Sequence, residues 1–177
     1  TYSLTLKNVS ALPTGSPYYL TNTATVTEND TGEESSDDAV ITIIVPSSGG
    51  SETAWAEGPS LPGGVGWAMY FYLDPSESSK TVNLIAGQNK VVGTVTAEWK
   101  SVGSGYYVHV TLRTTGGWVI KETHVEMSTA LSDLAGAPGN YSEGETFVTP
   151  VTEAGPYSKP FSKSKRVYIA AHAVVQK

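Results

Sequence analysis

The run Ala39-Val-Ile-Thr-Ile-Ile-Val-Pro46 constrains the fold of this chain more than any other stretch. It is β-branched, almost wholly apolar and ended by a proline, a composition typical of a strand that is buried on both faces. The stretch before it is too short to form a β-layer that shields such a strand alone. We therefore expect the second half of the chain, or another copy of the chain, to cover it.

The composition favours an all-β fold. Charged residues make up 16% of the 177 residues, against about 25% in a typical domain. Threonine, valine and tyrosine favour strands, and the 18 glycines and 10 prolines interrupt them. We expect an all-β chain, a β-sandwich of jelly-roll or immunoglobulin-like type with an N-terminal β-strand extension.

Charge and composition predict a domain boundary near the sequence Ser-Ser-Gly-Gly-Ser at residues 47–51. Residues 1–50 contain six acids and one lysine, a net charge of −5, whereas the remaining eleven acids and ten bases sum to −1. The Ser/Gly sequence predicts a flexible linker. We therefore divide the chain into an incomplete immunoglobulin-like segment that could donate a strand (1–46), a linker (47–52) and a β-sandwich module (53–177).

Period-two alternation and turn residues predict the individual strands. The first segment contains two further candidates, Tyr2–Lys7 and Tyr18–Glu28. Those of the second are Thr53–Glu57, Gly66–Leu73, Thr81–Ala86, Val91–Trp99, Tyr106–Thr114, Trp118–Met127, Thr146–Val151 and Lys165–Gln176. The pair Gly116-Gly117 predicts a two-residue hairpin with positive φ at both positions. Ser128–Ala135 predicts one helical turn, capped by Ser128 or Thr129.

Several functional classes are disfavoured. A net charge of −6 argues against a nucleic-acid partner, and no apolar run approaches the roughly 20 residues that span a bilayer. The chain has no signal peptide and begins at Thr1, so we expect processing or excision. The absence of cysteine leaves the redox compartment open.

Two resemblances support an exported protein. The sequences Tyr18-Tyr-Leu-Thr-Asn-Thr-Ala-Thr-Val-Thr27 and Ala39–Val45, with the acidic stretch between them, resemble the C-terminal part of repeated extracellular β-sandwich domains of large bacterial and archaeal surface proteins. Further strands of such a domain would precede Thr1. Residues 53–177 resemble an uncharacterised secreted module, through the phrases Thr53-Ala-Trp-Ala56, Val82-Asn-Leu-Ile-Ala-Gly87, Glu122-Thr-His124 and Val167-Tyr-Ile-Ala-Ala-His-Ala-Val174. Together they imply an extracellular, cell-surface β-protein.

Three residues suggest site chemistry in the second segment. Period two places Glu122 and His124 on one strand face, and His172 lies in an otherwise apolar strand. If these strands pair, the three side chains form either a transition-metal site or a buried, hydrogen-bonded structural cluster. The chain lacks cysteine and a Gly-x-Ser-x-Gly nucleophile elbow, so we do not expect an enzyme.

The acidic stretch Glu28–Asp38 predicts a calcium site. It is interpreted as a loop whose hard oxygen ligands could converge on one ion. The candidate ligands are Glu28, Asn29, Asp30, Asp37 and Asp38. The alternative is a solubilising surface loop, which is the usual role of a charge run. Resemblance to surface domains that bind calcium favours the ion.

Partner contacts are predicted at both ends of the chain. Early apolar strands and a late basic patch would join copies head to tail. The residues are Leu4, Leu6, Val40, Ile41, Ile43, Ile44, Val45, Lys163, Lys165 and Arg166. Tyr70 and Tyr72 form a predicted exposed aromatic face for carbohydrate or protein. Sequons at Asn8, Asn29 and Asn140 predict glycosylation.

These features favour a structural subunit of an extracellular filament or surface appendage. In this interpretation, an apolar strand of one copy completes the sheet of the next copy. The alternative is a stalk or adhesin fragment whose C-terminal module binds carbohydrate or a protein ligand. A third hypothesis, from another class, is a metal-dependent enzyme that uses Glu122, His124 and His172.

Overall fold

The chain divides into two compact units, Thr1–Ser48 and Gly49–Lys177, in a computed structural model. The structure describes the backbone of residues 17–27, 30–44 and 50–177, and the side chains of Thr25, Thr27, residues 30–36 and residues 50–177. Strands dominate both units, so the predicted all-β fold is confirmed.

The described part of the first unit is an antiparallel hairpin. Strand β1 (Pro17–Thr27) pairs with β2 (Glu34–Ile44) in unbroken register, from Pro17 opposite Ile44 to Thr27 opposite Glu34. The predicted acidic loop is therefore too long, because β2 begins at Glu34 rather than Ala39. Threonine and serine partners across the hairpin, which favour strands, extend the pairing into the acidic stretch.

The second unit contains a nine-stranded antiparallel sheet with hydrogen-bonded order β10-β7-β6-β5-β3-β11-β8-β9, in which β4 also pairs with β11. Its strands are β3 (Glu52–Ala56), β4 (Phe71–Leu73), β5 (Ser79–Ala86), β6 (Lys90–Val102), β7 (Gly105–Thr114), β8 (Val119–Ser128), β9 (Glu143–Val151), β10 (Glu153–Pro160) and β11 (Val167–Gln176). The sheet curls in a barrel-like manner, consistent with an all-β sandwich.

Strand β11 pairs with three strands of this sheet, more than any other described strand. It pairs with β8 along one edge, and β4 and β3 pair with successive parts of its other edge. Its odd-numbered residues enter the main core, which also contains Leu84, Val95, Val110 and Met127. Ala170 of its opposite face joins a second, outer cluster with Trp55 and Leu134. Both faces of β11 are therefore covered.

Two connections cover the outer face of β3, β11 and β8. One is the loop 57–70, and the other contains the 3-10 helices Leu131–Leu134 and Pro138–Asn140. Gly64 and Gly136 form a parallel bridge between these connections. Leu61 and Ala68 from the first connection, and Leu134 from the second, are buried in the outer cluster. The covering segments thus have apolar anchors.

The two ends of the sheet meet through the chain itself. Strands β9 and β10 are joined by Thr152, whose carbonyl oxygen accepts a hydrogen bond from the backbone N–H of Thr114 at 2.9 Å. In the interior, the hydroxyls of Thr123 on β8 and Tyr157 on β10 hydrogen-bond to each other. Burial raises the pKa of the Tyr157 phenol, although the hydrogen bond from Thr123 opposes that change. The first contact continues the pairing of β7 with β10, and the second links β10 to β8 across the interior.

Several local predictions need correction. Gly116 and Gly117 both have positive φ, as predicted, but the strands they connect do not pair: β7 pairs with β6 and β10, and β8 pairs with β9 and β11. The predicted strand Gly66–Leu73 is reduced to Phe71–Leu73. Strand β10 was missed, because its glycine and two prolines are typical of loops.

The predicted helical turn exists with a different cap. The 3-10 helix Leu131–Leu134 begins after Ala130, and Ser128 supports it by accepting a hydrogen bond from the backbone N–H of Ala130 and donating one to Asp133. Among the described residues, no helix has the length and apolar character needed to cross a membrane.

A substitution at Gly93 tests the close approach of β6 and β7. A Cβ atom at Gly93 would overlap the carbonyl oxygen of Arg113, so we expect Gly93→Ala to reduce the free energy of unfolding by about 1–3 kcal/mol. Urea unfolding followed by tryptophan fluorescence measures this loss, because all four tryptophans lie in the second unit.

Gly105→Ala is the matched control. The nearest atom to its Cβ would be the carbonyl oxygen of Val102 at 3.8 Å, an ordinary contact. An equal loss of stability in both variants would contradict the steric explanation.

Candidate functional site

A row of aromatic rings crosses the outer face of the sheet. His172 on β11 is directly opposite Trp55 on β3 and His124 on β8. The ring centroids of Trp55 and His172 are 4.8 Å apart, and those of His172 and His124 are 5.7 Å apart with the rings stacked. Tyr141 packs edge-on against Trp55 at 6.4 Å. Strand register therefore builds the row from three segments that are distant in sequence.

A carboxylate-histidine pair ends the row. Glu122 and His124 share one face of β8, as predicted, and His124 Nε2 lies 2.7 Å from Glu122 Oε1. An ionised carboxylate only accepts hydrogen bonds, so Nε2 carries a proton and donates the hydrogen bond to Glu122. Within the described residues, the second carboxylate oxygen of Glu122 has no partner. This pair is half-exposed and available to a ligand.

His172 differs from its neighbour because it is buried. Only 8% of the residue is exposed, and its Nδ1 atom is buried without a hydrogen-bond partner. The pKa of His172 is lowered from 6.5 to about 4, mainly by burial and also by the charge of His124, whereas Glu122 opposes the change. The imidazole is therefore neutral at pH 7. The predicted hydrogen-bonded cluster is correct for His124 and Glu122 but wrong for His172.

The row forms the floor of an open cleft of about 370 Å³. Thr53 and Val174 extend the floor, while the two covering connections provide the walls. The wall residues are Val65, Gly66, Trp67, Pro138 and Gly139. Val65 is more than half exposed and Trp67 is half-buried, so apolar surface faces the opening. The cleft combines an apolar wall with polar groups on its floor.

The geometry does not favour the transition-metal hypothesis. Among the residues that the structure describes, no group of three or more His, Cys, Asp and Glu side chains is placed to hold an ion. Zinc requires ligand nitrogens that converge at about 2.0–2.1 Å. Stacked imidazoles present their faces to each other instead, and Glu122 is already bonded to His124 Nε2.

The predicted exposed tyrosine face is wrong. Tyr70 and Tyr72 are half-buried and both pack against Tyr168, with ring centroids 6.0 and 6.4 Å apart. Lys80 and Arg166 lie over the Tyr72 ring, at 4.1 and 3.9 Å from its centroid. The cluster is therefore held by ring packing, with cation–π contacts at Tyr72, and is not a fully exposed aromatic face.

The basic patch is partly neutralised. Arg166 donates two hydrogen bonds to the Asp74 carboxylate, at 2.7 and 3.1 Å. Lys163 lies 5.4 Å from the centroid of Tyr106, and Lys165 is exposed. The structure therefore leaves the two lysines as the better candidates for an acidic partner.

Some predicted site residues lie outside the described residues. These are Leu4, Leu6, Asn8, Glu28, Asn29 and Val45. The backbone of Val40, Ile41, Ile43 and Ile44 lies in β2, as does that of Asp37 and Asp38, opposite Ala24 and Thr23. Asp30 is exposed beside the hairpin turn and Asn140 is exposed in a 3-10 helix. Calcium binding and glycosylation stay predictions.

Sequence reasoning missed much of the cleft. Trp55 carries no signal of its own, because only its register with His172 places it in the row. The wall residues Gly66 and Trp67 fall at the start of the predicted strand Gly66–Leu73, although Pro62-Gly63-Gly64 shortly before them indicates a turn. That turn signal could have placed the segment in a covering loop.

The buried His172 predicts a pH-dependent stability. Its folded-state pKa lies below 6.5, so the unfolded chain binds the proton first as the pH falls. The stabilisation is complete above about pH 6.5 and is lost between pH 6.5 and 4, a change of about 3 kcal/mol. We expect His172→Gln to remove this part of the pH dependence in urea unfolding measured at pH 7 and pH 4.

His109→Gln is the matched control, since His109 is a half-buried histidine of β7 outside the cleft. The His172 variant should lose less stability on acidification than the wild type and this control. Equal losses in all three proteins would show that His172 is not the buried titrating group.

Comparison with known proteins adds no information on function. No protein-family model, curated protein or solved structure matches the chain. The resemblance of residues 1–46 and 53–177 to surface domains therefore stays a prediction, and the function has to be argued from the cleft and the sheet.

Proposed function

We propose that the second unit is a carbohydrate-binding module of an extracellular cell-surface protein. The observation that carries the proposal is the outer cleft, where a half-buried tryptophan and other apolar wall residues face a floor with a free carboxylate oxygen. Its volume of about 370 Å³ lies within the usual range for ligand sites of about 300–1,000 Å³. The role is binding, and no catalytic step is assigned.

A sugar matches both halves of this cleft. Its ring has an apolar face of C–H groups that packs on aromatic and aliphatic side chains such as Trp67 and Val65. Its hydroxyl groups donate and accept hydrogen bonds. A sugar hydroxyl can therefore donate to the free carboxylate oxygen of Glu122, whose other oxygen is hydrogen-bonded to His124 Nε2. A wholly apolar ligand would desolvate the second carboxylate oxygen of Glu122 without giving it a hydrogen bond, at a cost.

Trp67→Ala tests the proposed binding surface. An aromatic contact contributes about 1–1.5 kcal/mol, so we expect the variant to bind its sugar roughly tenfold more weakly than the wild type. The full chain is first applied to an immobilised glycan array, and the best glycan is then titrated by calorimetry against both proteins.

Trp118→Ala is the matched control, because Trp118 is also half-buried but lies outside the cleft and beside Lys90. It should bind as the wild type does. Absence of binding to every glycan on the array would reject the carbohydrate proposal, and capture of a protein ligand by the same cleft would replace it.

A second proposal concerns the first unit, which would join copies of the chain into a filament by strand complementation. Within the described residues, β2 pairs only with β1, although it contains the apolar run Ala39–Ile44. A two-stranded hairpin is at best marginally stable alone. Addition to the sheet of a neighbouring copy would pair the second edge of β2 and bury its apolar residues.

Ile41→Lys tests this assembly. A lysine within a strand disfavours edge-to-edge pairing, so we expect the wild-type chain to sediment as a polymer and the variant as a monomer in analytical ultracentrifugation. Thr25→Lys, at an exposed position of β1, is the control and should leave assembly intact. A wild-type chain that is monomeric at every concentration tested would rule out the filament.

A further inference from the structure

The charge of the outer cleft limits which sugars it can accept. Glu122 is the one residue of formal charge that lines the cleft within the described chain, and no lysine or arginine lines it. His172 is neutral at pH 7 because burial lowers its pKa to about 4. An anionic group in the cleft would therefore meet a carboxylate of the same sign, and no lining lysine or arginine would compensate it.

The polar groups of the floor favour ligand hydroxyls. One oxygen of Glu122 accepts a hydrogen bond from His124 Nε2, and its other oxygen is free to accept a second one. The unpartnered Nδ1 of His172 is a second polar atom beneath the cleft, in a residue that is more than nine-tenths buried. A hydroxyl or a water molecule would satisfy it in either tautomer, because a hydroxyl both donates and accepts hydrogen bonds, whereas a carboxylate only accepts them.

From these observations we infer that the ligand of the cleft is an uncharged saccharide, and that Glu122 is the residue that excludes acidic sugars. This inference rests on the proposed carbohydrate function. It goes beyond that function because it assigns a ligand class and a specificity-determining residue.

Matched sugar pairs test the inference. Glucose and glucuronic acid differ only at the sixth carbon, a hydroxymethyl group in one and a carboxylate in the other, and galactose and galacturonic acid form the equivalent pair. Each is titrated into the full chain at pH 7 and followed by tryptophan fluorescence and by NMR shifts of the indole N–H groups. We expect the neutral member of at least one pair to bind at least tenfold more tightly.

Glu122→Gln assigns the discrimination to its cause. The amide keeps the shape of the side chain but removes its charge, so the ratio of neutral to acidic affinity should fall by at least tenfold, which equals about 1.4 kcal/mol. Glu145→Gln is the control, since Glu145 is exposed on neighbouring β9 outside the cleft, and it should leave the ratio unchanged.

The outcomes separate the inference from the proposal beneath it. Tighter binding of an acidic sugar, or a ratio that Glu122→Gln does not change, would overturn the inference while carbohydrate binding stands. Binding of neither member of any pair, together with an empty glycan array, would reject carbohydrate binding itself.

Discussion

The second unit depends on the burial of both faces of β11. The strand lies between β8 on one edge and β3 with β4 on the other, so its backbone groups are paired along both sides. Its inner face contributes Ile169, Ala171 and Val175 to the main core, and its outer face supports the row of rings. A strand so enclosed fixes the positions of its neighbours, because displacing any of them would expose apolar surface. The positions of the rings on the cleft floor are therefore set by β11.

In the second unit, the sequence predicts well which residues form strands but predicts poorly which strands pair with each other. Period-two alternation in Trp118–Met127 places Glu122 and His124 on one face, and the structure confirms it. Whether His172 joins them depends on the pairing of β11 with β8, a contact between distant segments that local patterns do not encode. Strand β10 shows the opposite failure: its glycine and prolines predict a loop, yet burial of Ala154 and Tyr157 against the core overrides that local preference.

The chain contains two runs with the composition of a doubly buried strand, Ala39–Val45 and Val167–Val175. For the later run, the structure describes all that such a strand requires: paired strands along both edges and apolar clusters on both faces. For the earlier run, within the described residues, β1 is the one paired neighbour. Two runs of the same composition thus differ in their neighbours. The later one has paired strands on both edges, whereas the earlier one has a paired strand on one edge in the described part of its unit. The filament proposal arises from this difference.

The two proposed activities reinforce each other physically. A shallow cleft that contacts one sugar through a tryptophan, a carboxylate and a few aliphatic groups gives only weak affinity, because a small ligand gains little free energy per atom and still loses its freedom of motion. If copies of the chain join head to tail, each contributes one cleft to the same filament. The second binding event on a multivalent glycan surface then occurs at the high effective concentration set by the filament, and avidity exceeds the affinity of one site by roughly 10²–10⁴. If both proposals hold, weak binding of an uncharged sugar by each module would therefore be enough for firm attachment of the filament.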